Sequence, residues 1–213
     1  MFHTAFIDFD HTLYDTYREW LDIFDVLARH RIPRKDAEET YELAVRGTNG
    51  GVFDYSFDRH IAILAERGLA LSDAVARELE ALHDRSYQAA DAESFLQYVR
   101  EQSARLVLLT AGNEKFQRQK IDSTTLAPYF DVIHVLHEKK DGYVRGVANP
   151  AGKHLFVNDN LRENVTVHAT CPNVVVVTKR HPVKYSEQEL KASEIPYFNS
   201  LTDIISYLIS QTL

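Results

Sequence analysis

The chain of 213 residues has one cysteine, Cys171, so no intrachain disulfide can form and the fold owes nothing to such bonds. That suits a reducing compartment. It also lacks a surplus of positive charge. The 24 Lys and Arg face 31 Asp and Glu, a net charge of -7, which argues against nonspecific binding to nucleic acid or an anionic membrane. No uninterrupted apolar run approaches the roughly 20 residues that a membrane helix needs. No basic stretch followed by an apolar one opens the chain, and the carboxylates Asp8 and Asp10 come almost at once. The expectation is a cytoplasmic protein without nucleic-acid or membrane partners. No Gly-x-x-x-x-Gly-Lys loop is present, which disfavours an ordinary ATPase. Internal repeats and low-complexity segments are absent as well.

What is there is an alternation of short apolar runs and helical stripes. Thr4 to Phe9 reads as a strand that ends among carboxylates. A long helical stretch follows. Trp20, Phe24 and Leu27 recur at helical spacing. Pro33 opens a second helix that Gly47 is placed to stop, and Gly68 closes a third built on Ile61 and Leu64. Ser72 is a suitable N-cap for a fourth, with Val75, Leu79 and Leu82 as its stripe. Beyond it, a helix over 92–102 leads into a strand over 105–110. A helix over 113–122 precedes strands over 130–136 and 154–158, and a short helix near Leu161 precedes the apolar run 173–178. A helix over 201–209 ends the series. Strands alternating with helices imply an α/β fold with a parallel sheet covered on both faces. The helical block 16–90 is expected as an insertion into a core made of 1–15 and 91–213.

In such a sheet, ligands bind beyond the carboxyl ends of the strands. Those ends carry Asp8-Phe9-Asp10-His11-Thr12, then Thr110-Ala111-Gly112-Asn113, then Asn158-Asp159-Asn160 with Glu163 four residues beyond Asp159. Glu138-Lys139-Lys140 supplies lysines nearby. The combination points to phosphoryl chemistry. A carboxylate can act as nucleophile through an acyl phosphate, dividing one hard displacement into two easier ones. Its repulsion by an anionic phosphate must be cancelled, and a divalent cation held by Asp8 and Asp159 would do so. Thr110 and a lysine would bind further phosphoryl oxygens. Asp10 is placed to protonate the leaving oxygen and then activate water.

Asp8-Phe9-Asp10-His11-Thr12-Leu13 resembles the Asp-x-Asp-x-Thr-Leu signature of the haloacid dehalogenase superfamily. Leu108-Leu109-Thr110 is similar to its second motif, and Phe156-Val157-Asn158-Asp159 with Glu163 to its fourth. The resemblance implies a Rossmann-like core with an inserted helical cap, Mg²⁺ as cofactor, and phosphatase or phosphotransferase activity on a small phosphorylated metabolite. It assigns Asp8 as nucleophile and metal ligand, and Asp10 as acid/base and metal ligand through its carbonyl. It makes Thr110 a phosphate ligand, Asp159 a metal ligand and Glu163 an orienting group for the metal's waters. Members with dehalogenase activity generally lack the second aspartate, so Asp10 favours phosphoryl transfer. Two positions depart from the pattern. Asn158 stands where Gly or Asp is usual, and the third motif, a lone lysine, falls on Lys139 in preference to Lys140. A phosphomutase with the same chemistry, or a weakly catalytic ligand-binding protein, is the alternative reading.

Other residues carry plainer expectations. His134 and His137 are three apart in a strand and so point to opposite faces, which makes a shared metal an unfavoured reading. The Trp20/Phe24 stripe reads as core of the helical insertion.

Overall fold

A computed structural model describes residues 1–46, 54–69 and 72–211 of the chain. Six strands form one parallel sheet: β1 (Thr4–Asp8), β2 (Leu106–Ala111), β3 (Val132–Leu136), β4 (His154–Asn158), β5 (Val174–Lys179) and the two-residue β6 (Tyr197–Phe198), in the order β3-β2-β1-β4-β5-β6. The strand order reverses between β1 and β4, so the loops leaving these two strands diverge and open a crevice there.

Every residue of β1 and β4 is buried. Alternation explains why the runs are apolar on both faces. Ala5, Ile7, Leu106, Leu108, Leu155 and Val157 pack toward Phe95, Leu96 and Val99 of a helix Ala92–Gln102 and toward Leu201, Ile204 and Leu208 of a helix Leu201–Ser210. Phe6, Val107, Leu109, Phe156 and Val176 pack on the other face, toward Val144 and Val167 of helices Lys140–Val147 and Leu161–Thr170.

In chain order the helices are α1 (Thr16–Arg29), α2 (Arg34–Val45), α3 (Phe57–Glu66), α4 (Asp73–Glu80), α5 (Ala92–Gln102), α6 (Glu114–Asp122), α7 (Lys140–Val147), α8 (Leu161–Thr170), α9 (Glu187–Ala192) and α10 (Leu201–Ser210). The expected helix over 92–102 forms at those bounds, and the short helix near Leu161 extends to ten residues. Helices α7 and α9 and strand β6 had no counterpart in the sequence pattern, being short and weakly periodic. Gly47, the expected stop of α2, lies outside the described residues. Gly68 does end α3, with a φ of 78° that glycine adopts without strain.

Helices α1–α4 form the inserted helical cap, with an apolar cluster of its own built on Ile23, Phe24, Leu27, Phe57, Leu64 and Leu79. Phe116 of α6 joins that cluster from the core side. One polar triad is buried within the cap. Thr40 spends its proton on the Asp36 carbonyl at 2.6 Å, so its oxygen accepts from His60 Nε2 at 3.0 Å, and the Tyr55 hydroxyl donates to Nδ1 at 3.0 Å. Burial pushes the His60 imidazole down to about 4 from 6.5. The unfolded chain therefore binds the extra proton between these values, and the stability conferred by neutral His60 is complete above 6.5 and lost as pH falls toward 4. The stability difference between wild type and His60→Gln, read from urea midpoints, is expected to narrow as pH drops from about 7 to about 5. A constant difference across that range would exclude a buried neutral His60.

Candidate active site

Asp8 ends β1 fully buried. The chain then turns at once. The amides of Thr12, Leu13 and Tyr14 donate to the Phe9 carbonyl at 3.2, 2.9 and 3.0 Å, and His11 adopts the left-handed region with φ 59°. The turn carries Thr12 back, so that its hydroxyl donates to Asp8 Oδ2 at 2.8 Å.

Neighbouring strands bring the other groups level with Asp8. Ile7 pairs with Val157, which places Asn158 and Asp159 beside Asp8, and Asp8 pairs with Leu109, which places Thr110 one residue beyond. The lysine comes from the β3–α7 connection. Lys140, buried at the first turn of α7, donates to Asp8 Oδ1 at 2.6 Å and sits 3.7 Å from Glu163 Oε2. The ammonium at this position therefore belongs to Lys140, not to Lys139. Lys139 is the exposed N-cap in extended backbone, and consecutive side chains at that bend leave in different directions.

Asn158, the departure from the family pattern, has a structural use. Its buried amide donates to Glu163 Oε2 at 3.0 Å, while Glu163 Oε1 accepts from the Lys140 amide at 3.3 Å. Asn164 in turn donates to the Asn158 carbonyl and to Thr178, both at 2.9 Å. Glu163 is thus held between the strand β4 and the start of α7.

The electrostatics follow from burying these charges together. Burial raises the Asp8 carboxyl above the usual range, against the pull of Lys140, and raises Asp159 further, with repulsion from Asp8 adding to it. Burial would lower the Lys140 ammonium, yet Asp8 and Glu163 outweigh it and hold it above its ordinary value. Two acids in the dark share one ammonium here.

Asp10 belongs to a second buried cluster. Its Oδ1 accepts from Thr16 at 2.7 Å and from Lys120, and its Oδ2 accepts from Gln117 at 2.9 Å and from Thr110 at 3.2 Å. Burial acts to raise this carboxyl, but the Lys120 ammonium with its hydrogen bond and that of Thr16 hold it well below the usual range. Lys120 also lies 3.3 Å from Glu19 Oε2 on α1, and Tyr14 donates to Glu19 Oε1 at 2.9 Å. Thr12 entered the sequence reading only as part of the signature, without a role of its own, whereas Thr16, Glu19, Gln117 and Lys120 escaped it. For Gln117 and Lys120 the i, i+3 spacing on a helix following the Thr110 strand was the one available signal.

A cavity of about 520 Å³ opens over both clusters, lined by Asp10, Thr16, Lys120, Lys140, Asp159 and Glu163 among others. At its edge the His11 and His181 rings approach to 4.0 Å between centroids. Burial lowers both, to about 3 and about 4, so the 3.9 Å approach of His181 to Asp159 joins a neutral ring to a carboxyl. The arrangement can present a carboxylate oxygen to an electrophile and surround the incoming group with an ammonium, a hydroxyl and a second carboxyl. His134 packs on Tyr143 at 4.8 Å, and Cys171 is a buried thiol.

A family model described as haloacid dehalogenase-like hydrolase matches residues 6–142. The chain belongs to this family. The matched region runs from β1 through the cap to the start of α7, and so includes Asp8, Asp10, Thr110 and Lys140. Solved structures repeat the fold over whole chains. A haloacid dehalogenase-like hydrolase from Burkholderia xenovorans LB400 is 19% identical with a TM-score of 0.75, covering 100% of each chain. A predicted phosphoglycolate phosphatase from Haemophilus somnus 129PT is 17% identical with a TM-score of 0.62, covering 97% of this chain and 98% of its own. The L-2-haloacid dehalogenase from Xanthobacter autotrophicus is 15% identical with a TM-score of 0.62, covering 98% of both. No protein of curated function matches the chain in sequence. The hydrolase fold is therefore shared by phosphatases and dehalogenases alike.

Because Lys140 neutralises buried acid, Lys140→Ala is expected to cost about 3–5 kcal/mol of folding stability at neutral pH. Lys139→Ala at the exposed neighbour is expected to stay within about 0.5 kcal/mol. Chemical denaturation of the two variants distinguishes them, and equal losses would remove Lys140 from the buried pair.

Proposed function

We propose that this hydrolase cleaves phosphate monoesters of small metabolites through an aspartyl-phosphate on Asp8, with Mg²⁺ as cofactor. The observation that carries the reading is the pairing of two acid clusters: Asp8 with Asp159 and Lys140, and Asp10 two residues on with Thr110. A dehalogenase displaces halide from carbon and needs neither a second aspartate to protonate a leaving oxygen nor a further carboxylate for a cation.

The donor chemistry fits a hard cation. Asp8 and Asp159 are oxygen donors held side by side, both pushed up by burial, Asp8 also by repulsion from Asp10 and Asp159 by repulsion from Asp8, and a divalent ion would relieve that excess of negative charge. Among the described residues no group of three or more His, Cys, Asp or Glu side chains is disposed as a complete cage. Magnesium tolerates this, since it takes one or two carboxylates and completes its octahedron with water and substrate phosphate. Asp8, Asp159 and the Asp10 carbonyl would hold it, with Glu163 orienting its waters. When bound, it would supply charge neutralisation at the phosphoryl oxygens.

The protein groups then divide the work. An Asp8 carboxylate oxygen attacks phosphorus while the bond to the leaving oxygen breaks. Lys140, already 2.6 Å from Asp8 Oδ1, keeps that carboxylate oriented and offers its remaining protons to the phosphoryl group. The Thr110 hydroxyl, which now donates to Asp10 at 3.2 Å, turns its hydrogen bond to an arriving phosphoryl oxygen, which frees one face of Asp10. Asp10, held ionised by Lys120 in the free protein, relays to the leaving alcohol the proton that the monoanionic ester brings with it, then accepts one from water in the second step, and the resulting attack on phosphorus releases phosphate and restores Asp8.

A phosphate-release screen with and without Mg²⁺ tests the reading. Wild type is expected to release phosphate, with loss of turnover on chelation. Asp8→Asn removes the nucleophile and is expected to abolish turnover, and Asp10→Asn to lower kcat by about 10²–10⁴. Lys139→Ala is expected to retain the activity that Lys140→Met loses. Halide release from L-2-haloacids without phosphate release from any ester would replace the phosphatase reading with a dehalogenase.

A further inference from the structure

Above its carboxylates the cavity changes character. Trp20, Ile23, Tyr41, Val45 and Tyr55 of the cap and Phe116 of α6 line that end. The rings form a connected wall. Trp20 meets Tyr41 edge-on at 6.4 Å, Tyr41 lies 4.9 Å from Tyr55, and Tyr55 meets Phe116 edge-on at 5.2 Å. Trp20 is braced from behind by the stacked ring of Tyr17 at 5.6 Å and by the Arg34 guanidinium at 4.9 Å. The expectation of plain cap core for Trp20 is therefore incomplete, since its indole also faces the cavity.

The polar groups at this end are nearly all committed. Glu19 is engaged by Tyr14 and Lys120, and the Tyr55 hydroxyl by His60. The cations that line the cavity, among them Lys139, Arg162 and Lys184, come from the core and not from the cap. Tyr41 is the exception. It lines the cavity, burial raises its pKa above the ordinary phenol value, and its hydroxyl has no hydrogen-bond partner among the described residues. Beyond the one bond Tyr41 can offer, a sugar or carboxylic-acid leaving group would set its remaining hydroxyls or carboxylate oxygen against rings that cannot pair with them, leaving these desolvated without compensation. A flat ring would meet faces and edges at the offsets aromatic pairs prefer.

We propose that the leaving group of the substrate is aromatic: a phosphate monoester whose ring lies against the wall of Trp20, Tyr41 and Tyr55 while its phosphoryl group meets Asp8 and Lys140. This rests on the phosphatase reading and names its substrate class.

Benzyl and propyl phosphate separate the two ideas, because their alcohols leave with similar basicity and differ in the ring. With the Mg²⁺-loaded full chain, kcat/KM for benzyl phosphate is expected to exceed that for propyl phosphate and for glucose 6-phosphate by about tenfold or more. Trp20→Ala is expected to bring the benzyl-to-propyl ratio toward one. Trp20 is the only tryptophan of the chain, so its fluorescence reports occupancy directly in the wild-type protein, whatever the variant's folding. Benzylphosphonate, which cannot be hydrolysed at oxygen, is expected to shift that emission saturably and at about tenfold lower concentration than propylphosphonate. Phosphate release at equal efficiency from benzyl and propyl esters, or indistinguishable fluorescence titrations, overturns the aromatic proposal and leaves the phosphatase standing. Release from none of the esters removes the phosphatase reading and this one with it.

Discussion

Three buried ionisable groups set the terms for the rest of this molecule: Asp8, Asp159 and the Lys140 ammonium that reaches Asp8 at 2.6 Å. Burying charge is costly, and it is sustained only where the partners are held in fixed places. The parallel sheet does the holding. Its order reverses between β1 and β4, so Asp8 and Asp159 emerge side by side at the crevice the topology creates there. The β3–α7 connection must then deliver one lysine from the other side of β2, and Asn158 with Glu163 ties the base of that delivery to β4. Apolar packing on both faces of the sheet keeps these strand ends from shifting.

A second buried pair joins the two parts of the fold. Lys120 on the core helix α6 reaches Asp10 and Glu19, and Glu19 belongs to the first helix of the cap. Thr16, the first residue of that helix, also donates to Asp10. The side chain at the second acid position is consequently tied to where α1 sits. Any movement of the cap over the crevice must break or carry along these contacts, so cap position and the donors of Asp10 are physically linked.

The family signature was legible because it is local. Asp8, Asp10 and Thr12 lie within one turn, and the strand before them is an apolar run that any parallel sheet would require. Thr110, Asp159 and Glu163 were legible for a related reason: each follows such a run, and strand ends in this class of fold converge. Helices α1 to α5 declared themselves by their apolar stripes and by Pro33 and Gly68. The choice between Lys139 and Lys140 was of another kind. It depends on the backbone angle at one bend, which two adjacent lysines of identical chemistry cannot reveal.

From the order of residues alone came the α/β alternation, the helical insertion, and the acids placed at strand ends. These follow from periodicity and from short spacings that survive any packing. The tertiary structure decided which lysine meets Asp8, that Asn158 supports Glu163, that Lys120 bridges Asp10 to the cap, and that Trp20 shares a cavity with Tyr55. Each of these joins residues far apart in the chain through directions taken by side chains, and a direction in space exists only once the strands and helices have been packed.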